Sequence, residues 1–187
     1  PVDPDQLGGR AAQHRKGRAV DHSLVHAGDQ LLAAGTFVVR RPSRMVLESA
    51  SAGRVVALEL DDGLVRILHD ELAHLTNVEI HHCDVLSFST AEFPDRGFKL
   101  VGNLPYYITS AILRRFLENP PRPRLMVVTV QREVAQRIVA EPGKMSLLAI
   151  SVQFYGQPRI VARIKAGAFY PRPEVDSAVV RIDLSEH

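Results

Sequence analysis

The chain has 187 residues, 45% of them hydrophobic and 24% charged, which is enough for one globular domain with its own core. It contains no apolar run long enough to span a bilayer and no charged-then-apolar leader, so no membrane association is expected. One cysteine, Cys83, excludes an internal disulfide framework and fits a reducing, cytoplasmic compartment.

Residues 1–28 are polar and basic with little periodicity and read as an N-terminal arm, leaving 29–187 as the folded domain. His14, His22 and His26 lie in the arm, but no cysteine or carboxylate is spaced to make a metal site of them. The apolar run Leu31-Leu32-Ala33-Ala34 leads to Gly35, and Ser43 is placed to cap a helix over Arg44 to Ala50. Arg54 to Asp61 is the clearest buried strand, with an acid at its carboxyl end. An amphipathic helix follows, with Leu64, Val65, Leu68, Leu72 and Leu75 on its inner face. Asn77 to His81 reads as a third strand, ending in Cys83-Asp84.

Phe98 to Val101 reads as a further buried strand, and Ser110 is placed to cap a helix from Ala111 to Glu118, stopped by Asn119-Pro120-Pro121. Leu125 to Val130 is another strand, followed by a helix from Gln131 to Ala140. Met145 to Tyr155 suits helix or strand, and its length favours helix. Ile160 to Ile164 and Ala178 to Leu184 are two closing strands. Strands alternating with helices predict an α/β fold with a doubly wound, mostly parallel sheet. The net charge of +2 is unevenly spread, with clusters at Arg10, Arg15, Lys16 and Arg18, at Arg40, Arg41 and Arg44, and at Arg114, Arg115, Arg122 and Arg124. Such clusters suit phosphate contacts and equally suit a solvated surface.

The stretch with the most specific chemistry is Gly102-Asn103-Leu104-Pro105-Tyr106. It follows a strand, and ligands of open α/β sheets sit outside the carboxyl ends of strands. Pro105 biases Leu104 toward extended backbone, which leaves the carbonyls of this turn facing the cleft. Asn-Leu-Pro-Tyr suits methyl transfer to a planar exocyclic amine, a poor nucleophile because its lone pair is spread into the ring. An Asn oxygen and a backbone carbonyl can hold both N–H groups and localise that lone pair, while Tyr106 offers a flat face to the base. The same residues also satisfy a plain proline turn with a half-buried tyrosine. Glu59 stands where an acid accepts hydrogen bonds from ribose hydroxyls, Leu60 can supply an apolar edge to an adenine, and Asp84 can accept from its amino group. Carboxylates at strand ends also cap helices. Phe169-Tyr170-Pro171-Arg172-Pro173 is kept extended by its prolines, and Phe169 either forms a second wall for a flipped base or plugs the core.

These residues resemble the rRNA adenine N6,N6-dimethyltransferases that act on small-subunit ribosomal RNA. The resemblance covers about Arg44 to Leu184. It rests on Val55-Val56-Ala57-Leu58-Glu59-Leu60-Asp61, Gly102-Asn103-Leu104-Pro105-Tyr106-Tyr107-Ile108-Thr109, Val130-Gln131-Arg132-Glu133-Val134-Ala135 and Phe169 to Val180, in the family's order. It implies a Rossmann-like fold and S-adenosylmethionine-dependent dimethylation of two adjacent adenines, with the small-subunit rRNA or the assembling subunit as partner. It implies cofactor binding by Gly35, Glu59, Leu60, Asp84 and Asn103, and catalysis by Asn103, Leu104, Pro105 and Tyr106. Tyr106 and Phe169 would sandwich the target base, and the protein would act as a monomer without a metal. A macrolide-resistance methyltransferase of large-subunit rRNA and a non-catalytic ribosome-assembly factor are the alternatives.

The resemblance breaks at the N-terminal side. The family carries a Gly-rich loop after its first strand, whose glycines let backbone approach the methionine end of the cofactor. Spacing puts the first strand near Leu31 to Ala34 and Gly35 at the loop's first glycine, but Phe37 and Val39 occupy the later glycine positions. The region up to about Ser43 therefore reads as replaced or scrambled relative to the family. The family also continues beyond the equivalent of His187 with a small helical domain, so the chain is expected to be cut short of it.

Overall fold

The computed structural model describes residues 30–34, 52–169 and 172–185. The basic arm, the expected helix over Arg44 to Ala50, Gly35, Tyr170 and Pro171 lie outside the described residues.

The first strand, β1, is Gln30–Ala34, where the spacing argument put it. β2, Arg54–Glu59, is an unbroken apolar run because both of its faces are covered. Asp61 then caps helix α1, Asp62–Leu72, its carboxylate accepting from the Leu64 N–H at 2.9 Å. Val65, Leu68 and Leu72 form the buried stripe, while Leu64 and Leu75 are only half-buried. β3, Val78–His82, runs parallel to β2. Arg54 joins the two strands, its guanidinium reaching Glu79 at 2.7 Å and Glu92 at 2.9 Å.

β4, Phe98–Asn103, ends in the Asn-Leu-Pro-Tyr turn, a single 3-10 turn over Tyr106–Ile108 that runs directly into helix α2, Thr109–Glu118. Ser110 does not cap this helix, contrary to expectation. The helix begins one residue before it, at Thr109, so Ser110 lies inside its first turn, and the preceding Pro105 carbonyl accepts the Ile108 N–H at 3.2 Å and the Thr109 hydroxyl at 3.1 Å. Ser110 is exposed, and no side chain caps the start of α2.

β5, Leu125–Gln131, leads without a loop into helix α3, Arg132–Ile138. The ambiguous stretch is helical as its length suggested: α4 spans Leu147–Tyr155, capped by Ser146. α4 passes straight into β6, Gly156–Ile164. Gly156 permits this junction, since a Cβ there would lie 2.6 Å from the Asp183 carbonyl oxygen. A 3-10 turn, Ala166–Ala168, precedes Phe169, and β7, Ser177–Leu184, closes the sheet.

The sheet order among the described residues is β3-β2-β1-β4-β5-β7-β6, with β1 to β5 mutually parallel and β7 antiparallel to both of its neighbours. Met126, Val128 and Val130 of β5 pack with Ile112, Leu113 and Phe116 of α2, while Leu125 and Val127 point to the opposite face with Val179. This period of two, repeated across the central strands, gives the sheet a covered layer on each side.

Candidate active site

The parallel strands all present their carboxyl ends at one edge of the sheet, and the order in which strands are added reverses at β1, whose neighbours are β2 on one side and β4 on the other. This is the switch point at which open α/β sheets hold ligands. In register, Ala34 pairs with Leu58 and Ala33 with Val101. Glu59 and Asn103 therefore flank the end of β1.

A cleft of about 320 Å³ opens here, lined by Glu59, Leu60, Asp84, Val85, Pro105 and Ile108 among others. Glu59 is only 4% exposed. Its Oε1 accepts the backbone N–H groups of Leu60 at 2.8 Å and Asp61 at 3.0 Å, so the side chain is locked by the start of the turn that follows it. Its Oε2 is buried and has no hydrogen-bond partner among the described residues. Leu60 stands beside it with its side chain 59% exposed, and the ring of His82 fixes the Leu60 backbone with Nε2 3.0 Å from the carbonyl. Across the cleft Asp84 is held by the Leu86 N–H at 2.9 Å. Burial first, and the charge of Asp84 second, push the Cys83 thiol above its ordinary value. Cys83 stays a thiol, which agrees with a packing role and not a nucleophilic one.

The turn after β4 divides its residues between two sides. Leu104 is buried, and its N–H donates to the Thr129 carbonyl at 3.1 Å, tying the turn to β5. Pro105 and Ile108 line the cleft with Glu59 and Asp84, and Tyr107, 84% exposed, stands at its mouth. Tyr106 lies outside that cleft. Its hydroxyl is 2.7 Å from the Ser177 Oγ at the start of β7, two strands away. The Pro105 carbonyl oxygen of this turn accepts from the Ile108 N–H and the Thr109 hydroxyl.

Of the residues singled out in the sequence, Glu59, Leu60, Asp84 and Pro105 thus share one cleft. Asn103, the last residue of β4, is half-buried at the same sheet edge. Tyr106 is joined to the start of β7 through Ser177. Phe169 follows the Ala166–Ala168 turn, its N–H bonded to the Ala166 carbonyl at 3.2 Å. Gly35 is outside the described residues. Sequence reasoning passed over Val85 and Ile108, which supply apolar wall, and Ser177, which holds Tyr106. Ile108 was legible as the residue one 3-10 turn beyond Pro105. Ser177 was not, because only the sheet order brings it to Tyr106.

A buried carboxylate oxygen lacking a donor is a strong acceptor for a hydroxyl brought by a ligand. With the exposed Leu60 edge and the Asp84 carboxylate opposite, the cleft offers two acceptors and an apolar edge to a ligand that carries hydroxyl and amino donors. Among the described residues no group of three or more His, Cys, Asp or Glu is placed to hold a metal ion, and no helix is long and apolar enough to cross a membrane.

The comparisons with known proteins point the same way. A curated "Ribosomal RNA small subunit methyltransferase A" of Dehalococcoides mccartyi is 43% identical over 97% of this chain and 67% of its own length. The crystal structure of a dimethyladenosine transferase from Plasmodium falciparum superimposes with a TM-score of 0.76 at 22% identity, over 87% of this chain and 58% of that one. That of the 23S rRNA methyltransferase ErmE gives a TM-score of 0.74 at 27% identity, over 88% of this chain and 64% of that one. The chain spans about half to two thirds of the length of the curated relatives it matches. A family model described as "Ribosomal RNA adenine dimethylase" matches residues 20–187. Since that match takes in every strand from β1 to β7 and the whole of the edge just described, the chain belongs to the ribosomal RNA adenine dimethylase family.

Proposed function

We propose that the protein transfers methyl groups to the exocyclic amines of adjacent adenines in small-subunit rRNA, in the cytoplasm, as a monomer, during ribosome assembly. S-adenosylmethionine, when bound, supplies an electrophilic methyl group on a sulfonium. Glu59 Oε2 accepts from its ribose hydroxyls, Leu60 packs against the edge of its adenine, and Asp84 accepts from the adenine amino group. On the other side, Tyr106 and Phe169 sandwich the target base. The Asn103 side-chain oxygen and the Leu104 carbonyl accept the two N–H groups of the target amine. Holding both favours a pyramidal nitrogen with a localised lone pair, and proximity does the rest. No strong general base is required, because the nitrogen sheds its proton only after it has become cationic.

The observation that carries this reading is the division of the Pro105–Ile108 turn, with Pro105 and Ile108 on the Glu59 cleft and Tyr106 bonded to Ser177 on the far side. One short turn between two sites is what a transfer from cofactor to base needs. The test is Asn103→Ala, assayed by tritium transfer to small ribosomal subunits and by filter binding to their RNA. Methyl transfer is expected to be lost with RNA affinity nearly unchanged. Retained transfer overturns the assignment.

A second reading, a ribosome-assembly factor that does not bind the methyl donor, is favoured by Phe37 and Val39 at glycine positions of the family's loop. Calorimetry with S-adenosylmethionine separates the two. Measurable binding supports the enzyme, and none supports the assembly factor. Transfer to the large subunit in place of the small one identifies a macrolide-resistance-type enzyme.

A further inference from the structure

We propose that the adjacent residues Asp176 and Ser177 are positioning residues that together set both aromatic walls of the base slot. Ser177 acts on Tyr106 and Asp176 on the segment that carries Phe169. The inference rests on the reading of Tyr106 and Phe169 as those walls.

Ser177 is fully buried at the first position of β7, in register with Gln131 of β5 on one side and Ile164 of β6 on the other. Its backbone is therefore held by two strands, and its Oγ is a fixed point. The Tyr106 hydroxyl meets that point at 2.7 Å. A tyrosine ring on a short turn can otherwise rotate about χ1. Anchoring its far end removes that freedom at the cost of one hydrogen bond already made in the resting protein.

Asp176 works on the opposite wall. Its Oδ1 accepts the Ala166 N–H at 3.0 Å, which fixes the first residue of the Ala166–Ala168 turn. Its Oδ2 meets the Lys165 ammonium at 3.2 Å and the Arg132 guanidinium at 3.6 Å. Its backbone carbonyl accepts the Arg132 N–H at 2.9 Å. The ends of β5 and β6 are thereby drawn onto one residue. Phe169 leaves that turn, three residues after the anchored amide. The Asp176 carboxyl lies below its ordinary range, held there first by the Ala166 N–H and then by Lys165. Two consecutive side chains thus reach in opposite directions along the sheet edge, one to each wall, and their separation is set by a single peptide unit.

The experiment compares Ser177→Ala, Tyr106→Phe and the double variant in methyl transfer to small ribosomal subunits, with kcat and KM separated and cofactor affinity measured by calorimetry. Either single change removes the same hydrogen bond while leaving the ring in place. Each is expected to lower kcat about three- to tenfold, with the double variant no worse than either single one and cofactor affinity unchanged. Asp176→Ala is expected to lower kcat similarly, and Asp176→Asn, which keeps an acceptor for the Ala166 N–H, to recover most of it. Wild-type kcat in Tyr106→Phe and Ser177→Ala, or additive losses in the double variant, overturns the tether. Equal losses in Asp176→Ala and Asp176→Asn overturn the role given to the Ala166 bond. Should Ser177→Ala fail to fold, Tyr106→Phe reads the same bond from its half-buried end. Tyr106→Ala distinguishes the two levels of argument. If it keeps full activity, Tyr106 is no wall, and both the parent reading and the tether fall. If it is inactive while Tyr106→Phe is normal, only the tether falls.

Discussion

At position 59 a carboxylate is almost wholly buried, gives one oxygen to two backbone N–H groups, and leaves the other without a donor among the described residues. The first half of that arrangement orients the side chain, and the second half leaves an acceptor whose desolvation cost a ligand hydroxyl would offset. Glu59→Gln keeps the oriented oxygen but replaces the other with an amide that donates. It is expected to weaken S-adenosylmethionine binding about tenfold or more by calorimetry while leaving thermal stability nearly unchanged. Unaltered affinity would remove Glu59 from the cofactor site. Asn103 and Tyr106 follow a similar division of labour. The carboxamide sits on the last residue of a strand, where backbone pairing fixes its origin, and the ring sits three residues on, where only a side-chain tether can.

At the scale of elements, the strands bear the site and their joints determine how rigidly. Arg54 at the start of β2 reaches Glu79 of β3 and Glu92 of the segment before β4. The hydrogen bond from Arg54 holds the Glu79 carboxyl below its ordinary value. A carboxyl depressed in the folded state stabilises at pH above its unfolded value, and that contribution is lost as pH falls through the folded one. Both partners are partly exposed, with 31% and 48% of their side-chain surface accessible, so solvent screening keeps the gain below about 1 kcal/mol. Urea denaturation of Arg54→Met is therefore expected to show a small loss against wild type at neutral pH that shrinks toward zero in acid. A gap that widens in acid contradicts the sign. The junction of the 3-10 turn with α2 has a different logic. The 3-10 turn runs into α2 without a break and without a capping side chain, and the Thr109 hydroxyl ties the first helical residue back to the Pro105 carbonyl at 3.1 Å.

For the molecule as a whole, the layer formed by α2, α3 and α4 is what keeps the sheet edge in shape. Phe116 is fully buried among residues of β4, β5 and the helices. Phe116→Ala should cost about 3–5 kcal/mol through lost burial and the cavity left behind. In a domain of this size that lowers Tm on the order of 10 °C, readable by calorimetric melting. A shift of a degree or two would mean that this layer collapses easily and is not the frame proposed here.

The kind of each described strand and α-helix was readable from the chain, because hydrophobic period and proline placement are local. The doubly buried runs at Val55 to Leu58 and Leu125 to Val128, the stripe of α1, and the chemistry of Asn103-Leu104-Pro105-Tyr106 needed no neighbours to be seen. Glu59 and Asp84 were legible for the same reason, as acids at strand ends. Ser110 was misread as a cap because the helix begins one residue before it, at Thr109, which puts Ser110 inside the first turn. The insertion of β7 between β5 and β6, and with it the contacts Ser177 to Tyr106 and Asp176 to Ala166, depended on long-range strand pairing. No local pattern encodes the order in which distant strands meet. The chemistry of the site therefore came from residue type and spacing, while the alignment of its two halves came only from the sheet that joins them.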